Sequence, residues 1–590
     1  AANAFWLLPV LYFTLTGSSL PALSKINRIS TPETQLMNYS RGSFADISLL
    51  KGYWFDYYDW TQPNSGLGEG GKYDYLFADW IVHLNNPVFV LYAKVIFGLV
   101  FSGLILALFR KKALWKFSGL LLLFISYTML ATANPPFGVI YNYISDKIPL
   151  FSEIFRNVFT KWSVAMALVY ALGLGYFIFG LGRMFKGRLK VVIVVPVVAV
   201  LFLVIGVVRP VFDGKLISGR MKVDIPKEYL GLSDWLNTRP QEGRIAYFPF
   251  FSYWGWNFHE WGYGGSGFLW YGIKQPILDR AFNVWSPYNE TYQNEITYAL
   301  FNKDNENFEN TLKKFEVKYL ILDESIIYPG NGNNNLFISE LKEMVASSSG
   351  RIKEVEKFGF ITVFETDVEN NKFISVPESY TLVNSDMNYS RLDFVYSDLG
   401  TYVNGTDAVS YPFANFDRRM GMKVYRDGEK INIESAKYNA RATFPVVGII
   451  EEDFNLRRGF ETPRNCDLKG KGSVKRVYLK DKVIYASENG GVSCDYFYFP
   501  EVKLSQSYIL RVKGKNSVGR GLKIYLQNNE RGNMDIEELL PTGEFDEYFF
   551  IYPNLSKSEA GYTLNVETRS FGTIPSENSI ENIEFIPVDT

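Results

Sequence analysis

Histidine and cysteine are scarce in this sequence, and neither sign of charge is in excess. Its 590 residues include two histidines, His83 and His259, and two cysteines, Cys466 and Cys494. So few histidines argue against a His-rich zinc or iron site, and we predict no metal site in this chain. The net charge is −1, which argues against a nucleic-acid-binding protein. The sequence opens AANAFWLLP, without an initiator Met or a signal peptide, so we expect the C-terminal part of a longer polypeptide.

Charged residues are also missing from long apolar runs in the first 209 residues. Leu189–Val208 carries no charge from Val191 onward, and it is long enough to cross a bilayer, which takes ~20 apolar residues. Pro196 is tolerated there because neighbouring membrane helices satisfy the carbonyl group that it frees. A buried core helix is the alternative, but similar segments precede this one: Ala1–Leu15, Val88–Phe109, Phe117–Ala133 and Ser163–Gly182. We predict an α-helical transmembrane bundle at residues 1–209 with about five spans.

Two connections between these segments are rich in basic residues. One contains Arg110, Lys111, Lys112 and Lys116, and the other contains Arg183, Lys186, Arg188 and Lys190. By the positive-inside rule both are cytoplasmic. This predicts a multi-pass protein of the plasma membrane, with outer loops at residues 16–87 and 134–161 and an extracytoplasmic ectodomain after Arg209.

The predicted outer loop at residues 134–161 combines a helical pattern with two cations. Its apolar residues recur every three or four positions, and Pro149 divides them into two short amphipathic helices at the membrane interface. The second helix contains FRNVFTKW, in which Arg156 and Lys161 could hold a lipid phosphate, a group that arginine binds in a bidentate manner. The alternative is that both side chains only anchor the helix ends.

An aromatic segment follows in the predicted ectodomain. Tyr247–Tyr271 has 13 aromatic residues among 25 and neither a helical nor a strand period. Such a loop must bury its rings against its own domain, the membrane or a glycan, and sugar rings stack on aromatic faces. We predict sugar contacts at Trp254, Trp256, Trp261 and Trp270. Docking of the outer domain on the membrane region is the alternative.

Residues 210–368 alternate helical and strand patterns, which predicts a small outer α/β domain. Asp323 and Glu324 stand at the C-terminal end of the strand Val317–Asp323, where open α/β sheets place ligands. An ordinary polar strand end is the alternative. Residues 369–453 form a polar, β-rich connecting unit to which we assign no chemistry.

Eight short strand-like runs follow Phe454, with turn residues between them. Their period of two predicts an all-β, jelly-roll-like sandwich of the carbohydrate-binding type at residues 454–590. Cys466 and Cys494 both lie in it, and an oxidising outer compartment would let them pair. A metal held by the two thiols is the alternative, but partner ligands are missing from the sequence around them. The whole chain is therefore predicted to be multi-domain: a helical membrane bundle, a small α/β domain and a β-sandwich.

These parts together resemble the GT-C superfamily of membrane glycosyltransferases. The resemblance is found in the segments AFWLLP, FRNVFTKW, IPKEYLGLSDWLN with GRIAYFP, KKFEVKYLILD followed by GFITVFE, and the sandwich. They are similar to the arabinofuranosyltransferase-like and YfhO-like membrane proteins. The resemblance implies an inverting, often metal-assisted transfer of sugar from a polyprenyl-phosphate donor. It also implies a catalytic carboxylate in the first outer loop, which we expect to precede this chain. We therefore assign no catalytic residue and no cofactor here, and a divalent metal is expected only in the full-length enzyme.

Two classes of function follow. The first is the C-terminal part of a polytopic glycosyltransferase that acts on cell-envelope glycans outside the membrane. Its partners would be the bilayer, a polyprenyl-phosphate sugar donor and a glycan acceptor, without nucleic acid. The second is a non-catalytic, membrane-anchored protein that binds glycans or assembles the envelope. A transporter is disfavoured because only Lys94 and Pro196 offer the charged or broken mid-membrane helices that transporters use.

Overall fold

The computed structural model describes residues 4–16, 25–61, 72–109, 116–184, 194–218, 222–249, 257–265, 267–279, 291–327, 336–368, 381–383, 402–404, 422–435, 440–457, 464–467, 472–530, 534–551 and 560–588. Helices make up most of the N-terminal part of the chain, and β-sheets make up most of the C-terminal part. The predicted change from helix to sheet along the chain is confirmed.

The N-terminal region consists of helices and one β-hairpin. Its elements are α1 (Ala4–Thr16), α2 (Lys25–Ser40), α3 (Phe44–Leu49), β1 (Tyr58–Thr61), β2 (Lys72–Tyr75), α4 (Ala78–Leu84), α5 (Pro87–Leu108), α6 (Lys116–Ala131), α7 (Gly138–Lys147), α8 (Phe151–Ile154), α9 (Val158–Met184), α10 (Val194–Val207) and α11 (Arg209–Phe212).

Among the described residues, two helices are long and apolar enough to cross a membrane, Pro87–Leu108 and Val158–Arg183. The other three predicted spans correspond to the shorter apolar helices α1, α6 and α10. Apolar side chains cover much of the outside of the long helices: Leu91 is 58% exposed and Val164 is 73% exposed. A helix that is apolar on its exposed side is compatible with a lipid environment.

Helices α5 and α9 approach each other closely at two glycines. A Cβ atom at Gly103 would collide with the backbone carbonyl of Gly173, so only glycine permits this crossing. Small residues allow membrane helices to pack backbone against backbone. Val100 and Val169 are fully buried beside the crossing.

The loop before α9 contains the two predicted short helices, α7 and α8, on either side of Pro149. The second helix is shorter than predicted. The FRNVFTKW segment does not continue it, because Phe155–Asn157 forms a turn and Val158 begins α9. Arg156 therefore lies in a turn and Lys161 in the long helix.

The next region is a five-stranded sheet with helices on both faces. Its elements are α12 (Lys227–Asn237), β3 (Arg244–Phe248), β4 (Asn257–His259), β5 (Gly264–Gly265), β6 (Ile277–Leu278), α13 (Thr291–Asn302), α14 (Asn305–Lys314), β7 (Val317–Asp323), β8 (Ile326–Ile327), α15 (Ile338–Ser347), β9 (Ile352–Phe358) and β10 (Ile361–Thr366). The strand order is β6-β3-β7-β10-β9. Strands β6, β3 and β7 are parallel, and β10 is antiparallel to both of its neighbours. Helices α13 to α15 cover one face and α12 covers the other.

Short strands connect this sheet to the C-terminal region. Strands β11 (Thr381–Val383) and β12 (Tyr402–Asn404) pair in parallel. An antiparallel sheet follows, made of β13 (Met422–Asp427), β14 (Lys430–Ser435) and β15 (Ala440–Pro445). Ile431 of this sheet packs on Ile509 and Ile586 of the C-terminal region.

Two antiparallel sheets face each other across one apolar core in the C-terminal region. The strands are β16 (Ile450–Glu451), β17 (Ser473–Tyr478), β18 (Val483–Glu488), β19 (Val492–Phe499), β20 (Ser507–Val518), β21 (Lys523–Asn528), β22 (Met534–Leu539), β23 (Gly543–Ile551), β24 (Tyr562–Arg569) and β25 (Ser576–Val588). One sheet has the order β17-β18-β25-β20-β23, with β16 beside β25, and the other has the order β19-β24-β21-β22. Both contribute buried side chains to the shared core, including Leu510 from the first and Leu564 from the second. All eight predicted strands are present.

Helix α2 joins the two parts of the molecule. The guanidinium of Arg520, in the connection between β20 and β21, is 1% exposed and pairs with Glu33 of α2 and Glu567 of β24. A second ion pair, 2.8 Å long, connects Arg28 of α2 to Glu538 of β22. Through these contacts α2 packs against the two-sheet region.

Candidate functional site

Three parallel strands end at one edge of the five-stranded sheet. The chain leaves β3 toward β6 on one side and reaches β7 on the other, and open α/β sheets place ligands outside such a point. Asp323 is the last residue of β7 and stands at this edge, where the sequence predicts it. Its side chain is fully buried.

Asp323 accepts hydrogen bonds from three hydroxyl groups. Tyr229 of α12 and Tyr247 of β3 each donate to Oδ2 at 2.5 Å. Ser325 donates to Oδ1 through its hydroxyl at 2.7 Å and its backbone N–H at 3.0 Å. Nδ1 of His259 lies 3.0 Å from Oγ of Ser325 and 3.6 Å from Oδ2 of Asp323. These donors satisfy a buried carboxylate that would otherwise be costly to desolvate.

Burial determines the protonation states in this cluster. It lowers the pKa of His259 to about 4, although the charge of Asp323 opposes the shift. The imidazole is therefore neutral at neutral pH. Burial and the charge of Asp323 raise the pKa values of Tyr229 and Tyr247, so both remain hydroxyl donors. The cluster thus combines a neutral imidazole with hydroxyl groups that donate to the buried side chain of Asp323.

A narrow cleft, with a free volume of about 10 Å³ that holds about one water molecule, lies beside the cluster. Its lining includes Asn257, His259, Tyr263, Phe268 and Asp279. The rings of Tyr263 and Phe268 meet edge to face with their centroids 5.0 Å apart. Its lining combines aromatic faces with amide, hydroxyl and carboxylate groups, but the cleft is too narrow for a sugar ring. Within the described residues, no group of three or more His, Cys, Asp or Glu side chains is placed to hold a metal ion.

The predicted tryptophans differ in their surroundings. The indole of Trp261 is partly buried, donates to the hydroxyl of Tyr229 at 3.2 Å and stacks on Tyr263 at 5.4 Å. Trp270 is 51% exposed and has its ring against Gly267. Trp254 and Trp256 lie outside the described residues. The aromatic segment therefore packs partly on itself, and sugar contacts at all four tryptophans remain predictions.

Arg156 faces α2. Its Nη1 donates to Oδ1 of Asn27 at 3.0 Å and to Oγ of Ser30 at 2.8 Å, and Asn38 donates to its backbone carbonyl at 2.6 Å. Lys161 lies one turn into α9 and is exposed. Arg156 thus fastens α2 to the N-terminal helices, and phosphate binding by Arg156 and Lys161 remains a prediction.

Cys466 and Cys494 form a disulfide with a Cα–Cα distance of 6.2 Å, which confirms the predicted pairing. The bond fastens residues 464–467 along the edge of β19, where the N–H of Cys466 also donates to the carbonyl of Val492 at 2.8 Å. Closing a loop with a sequence separation of 28 contributes about 3–4 kcal/mol in the chain-entropy account.

The sequence analysis missed an open face on the four-stranded sheet. Tyr496 and Tyr498 point outward from β19 and are 51% and 52% exposed. In register across β24 they stand opposite Asn565 and Thr563, and such cross-strand side chains lie ~5 Å apart. We call these four residues, with Gln527 opposite Thr563 on β21, the tyrosine face. The strand at Asp495–Phe499 was predicted, but sequence alone did not determine which of its alternating aromatic residues face the core.

Comparisons with known proteins find no matching family model and no matching curated protein. Among solved structures, the arabinofuranosyltransferase AftD from Mycobacteria aligns with 86% of this chain and 40% of its own, at 10% identity and a TM-score of 0.34. The C-terminal globular domain of the Archaeoglobus fulgidus oligosaccharyltransferase aligns over 24% of this chain and 99% of its own, at 12% identity and a TM-score of 0.17.

A third solved structure is the xylan-binding domain CBM22-1 of Paenibacillus barcinonensis Xyn10C. It aligns with 24% of this chain and 96% of its own, at 10% identity and a TM-score of 0.16. This chain spans about two fifths of the length of AftD. Because all three TM-scores are low, the functional argument depends on the residues described above.

Acidification should destabilise the Asp323 cluster through His259. The pKa of this histidine is about 4 in the folded protein and 6.5 in its ordinary state, so the unfolded chain binds the proton more tightly. The stabilising contribution is complete above pH 6.5 and is lost as the pH falls to 4. The shift corresponds to roughly 3 kcal/mol. His259→Asn should reduce the pH dependence of the melting temperature over this range, as followed by tryptophan fluorescence.

His83→Asn is the matched control, because His83 is the other histidine of the chain and contacts backbone carbonyls of Gly206 and Val207. This variant should keep the wild-type pH dependence. An unchanged slope in His259→Asn would show that the imidazole is not the titrating group.

Proposed function

We propose that this chain is the C-terminal part of a polytopic GT-C-type glycosyltransferase of the plasma membrane. It would help to transfer sugar from a polyprenyl-phosphate donor to a cell-envelope glycan on the outer side. The proposal divides the chain into a transmembrane region (residues 1–209), an outer α/β domain (210–368), a connecting unit (369–453) and a carbohydrate-binding sandwich (454–590).

The tyrosine face is the observation that carries this proposal. Two half-exposed phenol rings lie side by side on β19, each opposite a polar side chain of β24. Within the described residues the side-chain amides of Asn565 and Gln527 make no hydrogen bond, so both are available to sugar hydroxyl groups. Aromatic faces take the C–H side of a sugar ring, and amides bind its hydroxyls. The face therefore fits an uncharged glycan.

The order of the strands supports a carbohydrate-binding-type jelly roll. Strands β18-β25-β20-β23 face β19-β24-β21-β22, and eight strands in two four-stranded sheets are the jelly-roll arrangement. Strand β17 extends the first sheet. The tyrosine face lies on the outer surface of the second sheet, so its side chains do not pack in the core.

The donor phosphate is assigned to Arg156 and Lys161. Within the described residues, one guanidinium nitrogen of Arg156 makes both side-chain hydrogen bonds to α2, so Nε and Nη2 are available for a phosphate. In this proposal the phosphate leaves as the acceptor hydroxyl attacks, and positive charge stabilises it. The proton of the acceptor hydroxyl passes to a carboxylate base, and we assign this role to no residue of this chain.

A second candidate is a non-catalytic, membrane-anchored glycan-binding or envelope-assembly protein. Asp323 favours it, because this buried carboxylate at the ligand edge of the α/β sheet is fully hydrogen-bonded and is not arranged for acid–base chemistry. Glycan binding without sugar transfer by the complete protein would select this candidate.

Replacing the two tyrosines should abolish glycan binding. Tyr496→Ala with Tyr498→Ala removes both stacking surfaces, each worth about 1 kcal/mol or more in aromatic contacts, so we expect at least a tenfold loss of affinity. Binding of the detergent-solubilised chain on a glycan array, followed by titration calorimetry with the best ligand, measures this. Tyr143→Ala, at a 65% exposed tyrosine of α7, is the control and should bind as the wild type does. Equal affinity of the double variant would exclude the tyrosine face.

Arg156→Ala should weaken binding of a polyprenyl-phosphate sugar about tenfold, because a charged hydrogen-bonding partner of the phosphate is lost. Lipid co-purification and native mass spectrometry measure the change. Asn27→Ala with Ser30→Ala removes the contacts of Arg156 with α2 but keeps the guanidinium. This variant should keep the lipid, whereas equal loss in both variants would assign Arg156 a packing role alone.

A further inference from the structure

A helix of the same chain covers the outer surface of the four-stranded sheet beside one end of the tyrosine face. Alternation along β21 and β24 directs Lys523 and Glu567 outward, away from the core, and the two residues are opposite each other in register. Outward side chains of an open sheet would be exposed, yet that of Lys523 is 12% exposed and that of Glu567 is 17% exposed. Something therefore lies over this row of the sheet.

Helix α2 is the covering element. Near its start Arg28 pairs with Glu538 of the edge strand β22, and near its middle Glu33 pairs with Arg520. Its last residue, Ser40, lies against Gly572 in the loop after β24. These three contacts follow one end of the four-stranded sheet, so α2 crosses the strands there.

At the opposite end, the residues that the structure describes leave the two tyrosines exposed. Successive outward residues of a strand are ~7 Å apart. Tyr496 is one such step from the row of Lys523 and Glu567, and Tyr498 is two steps from it. Both tyrosines are about half exposed. The surface thus has a covered end and an open end, and its tyrosines lie toward the open end.

Helix α2 also places the covered end of the sheet next to the N-terminal helices. Its other side is fastened to the membrane region, where Arg156 donates to Asn27 and Ser30 and Gln35 donates to the carbonyl of Ser152 at 3.3 Å. The covered end of the tyrosine face is therefore the end next to the membrane helices.

We infer that the tyrosine face binds the terminus of a glycan chain and not an internal stretch. A chain lying along Tyr498 and Tyr496 meets α2 after two steps of the sheet, and an internal stretch would have to pass through the ion pairs of Glu33 and Arg28. The bound terminus points toward the membrane region. This inference rests on the proposed glycan binding and adds the class of ligand.

The test counts binding sites per gram of polysaccharide. Linear arabinan, xylan and mixed-linkage glucan are each used intact and after limited endo-cleavage, which multiplies chain ends at constant mass. The full chain, in detergent, is titrated to saturation. For any polymer that binds, we expect the bound protein per gram to rise in proportion to the number of chain ends. A capacity that follows mass and ignores cleavage would overturn the inference and leave glycan binding intact. Binding to none of the polymers would count against the proposed function itself.

Variants of α2 test the role of the helix. Arg28→Ala with Glu33→Ala removes both ion pairs, so the capacity should follow polymer mass because the closed end opens. Arg28→Ala alone, which breaks a pair whose arginine is 44% exposed, provides a milder change if the double variant is unstable. Glu581→Ala breaks the Lys513 pair on the opposite sheet and should behave as the wild type. If the binding capacity of the double variant still rises with the number of chain ends, α2 does not close the face.

Discussion

The buried guanidinium of Arg520 is the interaction on which the arrangement of the molecule depends. It is 1% exposed and lies between Glu567 of the sandwich and Glu33 of α2. Burial would raise the pKa of Glu567, but the charges of Arg569, Arg520 and Lys523 outweigh it and lower this pKa to about 2. A buried pair of this kind is worth little against an apolar replacement, but removing one partner costs about 3–5 kcal/mol. The contact therefore specifies where α2 lies more than it adds stability.

Helix α2 also connects the N-terminal helices to the sandwich. Arg156 contacts α2 from the side of the N-terminal helices, while Arg520 and Glu538 contact it from the side of the sandwich. A glycan on the tyrosine face would therefore end near the turn that contains Arg156, the residue that we propose for binding the donor phosphate. The Asp323 cluster has a different character, because its buried carboxyl group accepts hydrogen bonds from the hydroxyl groups of Tyr229, Tyr247 and Ser325. Tyr247, His259 and Trp261 of the aromatic segment lie around this cluster.

Much of the fold follows from hydrophobic pattern alone. The helix Lys227–Asn237 and sandwich strands such as Tyr562–Arg569 form where apolar residues repeat with the period of the element. The strand Val317–Asp323 forms where a continuous apolar run is buried on both faces of the sheet. Strand β22 was not predicted, because Met534–Leu539 is an acidic edge strand with one core residue, Ile536. The α2 contacts were not predicted because they join residues nearly 500 positions apart in the sequence. The tyrosine face was not predicted because it combines side chains from three separate strands. A local sequence pattern predicts neither the ion pair between Glu33 and Arg520 nor the side of β19 that faces outward.

Cross-linking of α2 to the sandwich tests the central claim most directly. A Cβ atom at Gly572 would lie 3.1 Å from Cβ of Ser40, slightly closer than the ~3.5–4.5 Å between the Cβ atoms of a disulfide, so a shift of a few tenths of an ångström permits the bond. The native cysteines are already paired, so Ser40→Cys with Gly572→Cys introduces two new thiols. Mild oxidation of this variant, followed by proteolysis and mass spectrometry, should recover the peptides of residues 40 and 572 joined by a disulfide. Recovery of both peptides as separate alkylated thiols would contradict the docking of α2 on the closed end of the tyrosine face.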